Sequence, residues 1–106
     1  MASSNITPHH DAIVCVLEDD PIMMTIVRDC LQSQGYVVRC AETIEQMDLL
    51  LSHPLDLIIS DIHVPDGNGL IHCIERKQAW SLNCPIIAIT ASRRSVTRSI
   101  GAVGGA

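Results

Sequence analysis

Three apolar, β-prone runs constrain this 106-residue chain more than any other feature: AIVCVL at residues 12–17, LDLIIS at 55–60 and CPIIAIT at 84–90. The first is apolar at consecutive rather than alternate positions, the pattern of a strand buried on both faces. YVVRC at residues 36–40 reads as a shorter strand. Helical signals lie between these runs. Asp20 and Pro21 form an N-cap and first helical position. Ile22, Ile26, Cys30 and Met23, Val27, Leu31 then recur at spacing four as an apolar stripe, with Gly35 as the C-cap. A second helix spans residues 42–52, with Ile44, Met47, Leu50 and Leu51 inward, and Thr43 and Gln46 forming a capping box. Leu70, Ile71 and Ile74 open a third helix ending near Trp80. Val96, Ile100 and Val103 mark a fourth over residues 92–103. Strands alternating with helices predict a doubly wound parallel α/β sheet with right-handed crossovers.

The third run ends in a single acid, Asp61, followed by the turn-rich stretch Pro65-Asp66-Gly67-Asn68-Gly69. In a parallel sheet all strands end at one edge, where open α/β sheets place their reactive groups. That edge also receives Glu18 and Asp19 from the first strand and Thr90 from the fourth. If the first and third strands are neighbours, three carboxylates converge. Like charges gathered so closely are unfavourable unless a cation relieves them. Mg²⁺ suits such a site, because it takes one or two carboxylates with water and phosphate oxygens. A carboxylate can accept a phosphoryl group as an aspartyl phosphate, and positioning with charge neutralisation is most of what phosphoryl transfer asks of a protein. Asp61, alone at its strand end, is the expected nucleophile. Glu18 and Asp19 are placed to bind metal, the His63 backbone carbonyl to add an oxygen ligand, and Thr90 to hydrogen-bond a phosphoryl oxygen. Each residue also has a plainer reading. Acids at a strand end cap the next helix, which is the reading taken for Asp20 and remains open for Glu18 and Asp19. Thr90 alone reads as a satisfied loop hydroxyl, and His63 and His72 as solvated or packed side chains.

Charge and composition narrow the function. Residues 1–75 hold all twelve acids with only Arg28 and Arg39, whereas residues 76–106 hold Arg76, Lys77, Arg93, Arg94 and Arg98 and no acid. The net charge of −5 disfavours a DNA-binding footprint, and the near absence of aromatics disfavours a base-stacking surface. The five cysteines are odd in number, lack a CxxC pair and fall in apolar stretches. They read as reduced, packed thiols of a cytoplasmic protein. The polar leader 1–11 is neither a signal peptide nor, with His9, His10 and Asp11, a metal site, and no apolar run is long enough to span a membrane.

The stretches VCVLEDDP, LDLIISDIHVPDGNGL and CPIIAITA, each in its place in the β/α series, resemble the receiver domain of two-component response regulators, the flavodoxin/CheY-like fold. The resemblance covers residues 12–106. It implies strand order 2-1-3-4, Asp61 as phosphoacceptor, and Mg²⁺ held by Glu18, Asp19, Asp61 and the His63 carbonyl. It also implies Thr90 as the hydroxyl that turns toward the phosphoryl group, and a sensor histidine kinase or phosphotransfer protein as donor. The module would promote its own phosphorylation and dephosphorylation rather than turn over a substrate. Receivers also carry a fifth strand with an aromatic switch residue, a Lys that pairs with the phosphoryl group, and a fifth helix. The chain ends before these, and Lys77 lies on the wrong element to replace the Lys. The expectation is therefore a receiver incomplete at its C-terminus, with an unpaired fourth-strand edge and an apolar patch on the first helix. Homodimerisation through that edge or the fourth-helix face is expected. A pseudo-receiver that binds partners without switching is the main alternative. An aspartyl-phosphate phosphohydrolase is the other, and it is disfavoured because His63 occupies the place of its second acid.

Overall fold

The computed structural model describes residues 12–89 and the backbone of residues 101–102. The leader, the span 90–100 with Thr90, Arg93, Arg94 and Arg98, and residues 103–106 lie outside the described residues. The elements run β1 (Ile13–Leu17), α1 (Pro21–Ser33), β2 (Val37–Ala41), α2 (Ile44–Leu51), β3 (Leu57–Asp61), β4 (His63–Val64), β5 (Gly67–Asn68), α3 (Gly69–Ala79), β6 (Ile86–Ile89) and β7 (Gly101–Ala102). The main sheet has the order β2-β1-β3-β6-β7, and its first four strands are parallel. This is the expected 2-1-3-4 arrangement, with β6 as the fourth strand.

The pleat explains why both faces need helices. Side chains alternate along a strand, so Cys15 and Leu17 point to one face while Val14 and Val16 point to the other. The first pair joins Met47, Leu51, Ile58, Cys73 and Ile86 in a core under α2 and α3. The second joins Met24 and Ile59, with Val27 and Leu31 of α1 packed against them. Each fully buried aliphatic side chain of this kind stabilises the fold by roughly 1.5–3 kcal/mol.

The helix starts follow the sequence signals. The Asp20 carboxylate accepts the Ile22 N–H at 3.0 Å, and Pro21 takes the first helical position. Thr43 Oγ1 accepts the Gln46 N–H at 3.1 Å, and Gln46 Oε1 reaches back to the Glu42 N–H at 2.8 Å. Gly35, at φ +94°, turns the chain out of α1, as its missing Cβ permits.

Four expectations need correction. The apolar stripe of α1 is only half inward: Val27 and Leu31 pack on the sheet, joined by Met24 from outside the two expected rows, whereas Ile22 and Ile26 are 71% and 58% exposed. The apolar arc of this helix is wider than one sheet face can cover. Ile26 and Cys30 instead rim an apolar groove of about 240 Å³ floored by Ile59, Ile87 and Ile89, the patch expected on the first helix. Second, the helix expected over 92–103 does not reach its end, since Gly101 and Ala102 form β7. Glycine is a poor helix former, and 101, 104 and 105 are all Gly. Third, the edge of β6 is not bare. Ile87 and Ala88 pair antiparallel with Ala102 and Gly101, which satisfies part of an edge that would otherwise invite pairing between chains. Fourth, the cysteines divide. Cys15, Cys73 and Cys84 are buried, and burial raises their thiol pKa values, to about 11 for the first two. Cys30 and Cys40 are exposed. Among the described residues no helix is long and apolar enough to cross a membrane.

Candidate functional site

The parallel register sets the site. Leu17 of β1 is paired with Ser60 of β3, so Glu18 and Asp61 emerge side by side at the same sheet edge. The carboxylates of Glu18, Asp19 and Asp61 offer oxygens that all lie within 4.8 Å of one another. Glu18 is 1% exposed and Asp61 6%, while Asp19 faces solvent. The convergence expected from the order of β1 and β3 is therefore present.

Glu18 is the strained member. Its backbone N–H donates to the Ala41 carbonyl at 2.9 Å, which continues the sheet ladder. Its Oε2 accepts the Asp20 N–H at 2.9 Å, but its Oε1 is buried with no hydrogen-bond donor among the described residues. Burial, then the neighbouring Asp61 charge and the sharing of a proton with that carboxylate, and last the Asp19 charge, push its carboxyl up to about 7 against the opposing pull of the Asp20 N–H. A buried acceptor left without a donor is costly. A hard cation among three carboxylates would meet both the charge and the orphaned oxygen.

Asp61 is held by the chain that follows it. The Ile62 N–H donates to Asp61 Oδ1 at 2.7 Å. The Ile62 carbonyl in turn accepts the Gly69 N–H at 2.8 Å, so the two successive peptides that flank the Ile62 Cα are each held. Ser60 Oγ donates to the Asp61 carbonyl at 2.9 Å. A Cβ on Gly69 would lie 2.8 Å from that carbonyl oxygen and 2.8 Å from Leu17 Cδ2, so only glycine lets α3 start so close to the acid. Asn68 caps α3 by accepting the Ile71 N–H at 2.9 Å. The stretch read from sequence as a plain loop contains a short antiparallel pair, β4 with β5.

The other predicted residues fall as follows. His63 opens β4 with an exposed side chain. Thr90 lies outside the described residues, next in sequence after Ile89, which is paired with Asp61. Lys77 sits on α3, where its carbonyl accepts the Leu82 N–H and its charge acts on Cys84. That is the opposite end of β6 from the acids, so it has no part in the site. Two arrangements escaped the sequence reading. Asp48 of α2 accepts from His72 at 2.7 Å and from Arg76 at 3.0 and 3.1 Å, and Arg76 lies 4.8 Å over the Trp80 ring. The Asp48 contacts tie α2 to α3 and hold the Asp48 carboxyl below the usual range, against the opposing effect of burial. Asp66 reaches α2 as well. Each pair that joins α2 to these partners is separated by more than twenty residues, so no local pattern announces it.

Known proteins share this architecture. The chain is 35% identical over 80 residues to the polar-differentiation response regulator DivK of Brucella ovis, a match covering 74% of this chain and 65% of that protein. It thus spans less than two thirds of DivK, and only 8% of the sensor histidine kinase TmoS of Ectopseudomonas mendocina, which it also matches. Among solved structures, the response regulator TrrA of Thermotoga maritima in complex with Mg²⁺ and a beryllium fluoride superposes with a TM-score of 0.70 at 27% identity. That match covers 82% of this chain and 76% of TrrA. TrrA bound to the histidine kinase ThkA superposes with a TM-score of 0.66 at 30% identity, covering 76% and 69% of the two chains. The family model of the response regulator receiver domain matches residues 14–106. Because that match takes in the whole sheet, the acids at its edge and the loop after Asp61, the chain belongs to the response regulator receiver domain family.

Proposed function

We propose that the protein is the phosphoacceptor of a two-component phosphorelay, with Asp61 taking a phosphoryl group from a phosphohistidine of a sensor histidine kinase or phosphotransfer protein. The observation that carries this reading is the meeting of Asp61 and Asp19 with a buried Glu18 whose Oε1 has no donor among the described residues. Glu18, Asp19 and Asp61, with the His63 carbonyl, would hold Mg²⁺, which supplies charge neutralisation as one anion approaches another. The chain's own contribution is orientation. The Ile62 N–H, on a backbone held through its carbonyl by Gly69, fixes Oδ1 of Asp61 and leaves the other carboxylate oxygen to attack the phosphorus. The new P–O bond forms as the P–N bond to the donor histidine breaks, and the imidazole leaves with that electron pair. Thr90 would hydrogen-bond the transferred group. The product is an acyl phosphate whose hydrolysis resets the module, so the protein acts as a cytoplasmic switch rather than as an enzyme with turnover.

The kinase assignment draws on the TrrA–ThkA complex, and the metal assignment on TrrA with Mg²⁺. Intact mass spectrometry after incubation with acetyl phosphate and Mg²⁺ tests the reading. One phosphoryl group should be added to the wild type and none to Asp61→Asn, and chelation of the metal should slow the addition by more than about tenfold. A wild type that stays unmodified would instead fit a binding module without switching.

A further inference from the structure

We propose that Asp66 is a positioning residue. It ties the segment that orients the Asp61 carboxylate to the first turn of α2, and so makes α2 part of the acceptor's frame. The inference rests on Asp61 being the phosphoacceptor, and its evidence lies outside the acidic cluster.

Asp66 stands at the tip of the hairpin formed by β4 and β5. One carboxylate oxygen accepts the Ile44 N–H at 2.8 Å and the other accepts the Glu45 N–H at 3.2 Å. These are the first two amides of α2, which have no carbonyl partner within their own helix. Thr43, the helix's own N-cap, reaches only Gln46. A residue 22 positions along the chain thus completes the cap, and its negative charge meets the positive end of the helix dipole. Those backbone donors, the Ile44 N–H first, hold the Asp66 carboxyl below the usual range.

A second contact lies beside it. Gly67 sits at φ +145°, and a Cβ there would come within 3.1 Å of Ile44 Cδ1. The hairpin therefore seats on the same turn of α2 through both a carboxylate and an apolar contact. Its other end is the Ile62 backbone, whose N–H donates to Asp61 Oδ1 and whose carbonyl accepts the Gly69 N–H. Between the two ends, His63 pairs with Asn68 and Val64 with Gly67, so little slack separates them. A displacement of the α2 start is passed through Asp66 and the hairpin to the group that holds Asp61 Oδ1.

If Asp66 merely stabilised α2, any loss of its cap would have the same effect. Thr43→Ala supplies that control, because it removes a cap of α2 without touching the hairpin. Wild type, Asp66→Ala, Asp66→Asn and Thr43→Ala are compared by hydrogen exchange over residues 42–48 and 62–68, by Mg²⁺ titration, and by initial rate with acetyl phosphate. Asp66→Ala should raise exchange in both segments about fivefold, the equivalent of a lost cap. It should also weaken Mg²⁺ affinity and slow phosphorylation about tenfold, the lower end of what loss of an orienting outer-shell partner costs. Asp66→Asn keeps one acceptor oxygen and should fall between Asp66→Ala and wild type in every readout. Thr43→Ala should loosen residues 42–48 alone and leave Mg²⁺ affinity and rate within about twofold of wild type. Unchanged exchange at 62–68 in Asp66→Ala would overturn the proposal, as would a Thr43→Ala variant as impaired as Asp66→Ala. If the alanine variant does not fold, an Asp66→Asn variant identical to wild type at 62–68 overturns it equally. A wild type that neither binds Mg²⁺ nor accepts phosphate contradicts the phosphoacceptor reading, and the exchange data still decide whether Asp66 holds the hairpin.

Discussion

Raising the pH from about 5 to about 8 should destabilise the metal-free protein and strengthen its binding of Mg²⁺. Both effects come from Glu18, whose carboxyl is raised from 4.5 to about 7 by burial and by the Asp61 and Asp19 charges. Below the lower value the group is protonated in folded and unfolded chains alike and costs nothing. Between the two values the unfolded chain releases a proton that the folded protein keeps, so stability falls as pH rises. Above about 7 the charge is present in both states, and the loss, on the order of 3 kcal/mol, is complete. Metal binding runs the opposite way, because the ligand must be deprotonated. Below the raised value, each pH unit should cost close to tenfold in Mg²⁺ affinity. Thermal melts across this range, with and without Mg²⁺, measure both. Glu18→Gln should flatten the pH dependence of the metal-free protein, since the amide can accept from Asp20 without ever becoming charged. An identical slope in wild type and Glu18→Gln would show that another group carries it.

The second large effect is steric. Gly69→Ala should lower stability by about 3 kcal/mol, at the upper end of ordinary overpacking costs. The added methyl meets the Asp61 carbonyl oxygen and Leu17 Cδ2, both at 2.8 Å, and Ser60 Oγ at 3.1 Å. The oxygen belongs to the backbone of a central strand and cannot rotate away, so α3 must move. Alanine's better helix propensity offsets at most about 1 kcal/mol. Moving α3 also breaks the Gly69 N–H bond to the Ile62 carbonyl, which loosens the backbone of the residue whose N–H orients Asp61. Urea unfolding gives the stability, and the phosphorylation rate of the folded fraction gives the second consequence. A neutral substitution would mean that the start of α3 is not packed against Asp61 as described.

How much of this was legible in the sequence depends on whether the signal is local. β1 and β3 announced themselves because consecutive apolar residues can be buried only between two helical layers. Asp61 was legible for the same reason, as the first polar group able to leave the strand at its open edge. The N-caps Asp20 and Thr43 act on amides two and three residues away, so spacing alone reveals them. α1 was half misread because two rows of apolar residues satisfy helical spacing equally well, and only the sheet decides which row it covers. Near residue 101 the local signals conflict: Val96, Ile100 and Val103 have helical spacing, while Gly101 disfavours a helix. In the structure Gly101–Ala102 pairs with β6 instead. Asp66 and the Asp48–His72–Arg76 cluster were invisible because their partners are set by the packing of α2 against the hairpin and α3. Asp66 read only as a turn former, and nothing near it in sequence names Ile44 as its partner.

Every role proposed for the acidic edge depends on Asp61 as the acceptor, and chemical trapping of the phosphoryl group identifies that residue. After treatment with acetyl phosphate and Mg²⁺, borohydride reduces an aspartyl phosphate to homoserine, which peptide mass spectrometry locates to a single residue. The expected result is homoserine at position 61 and nowhere else in the wild type, and at no position in Asp61→Asn. Homoserine at Asp19, Glu18 reduced to its own alcohol, or no reduced residue at all would contradict the account.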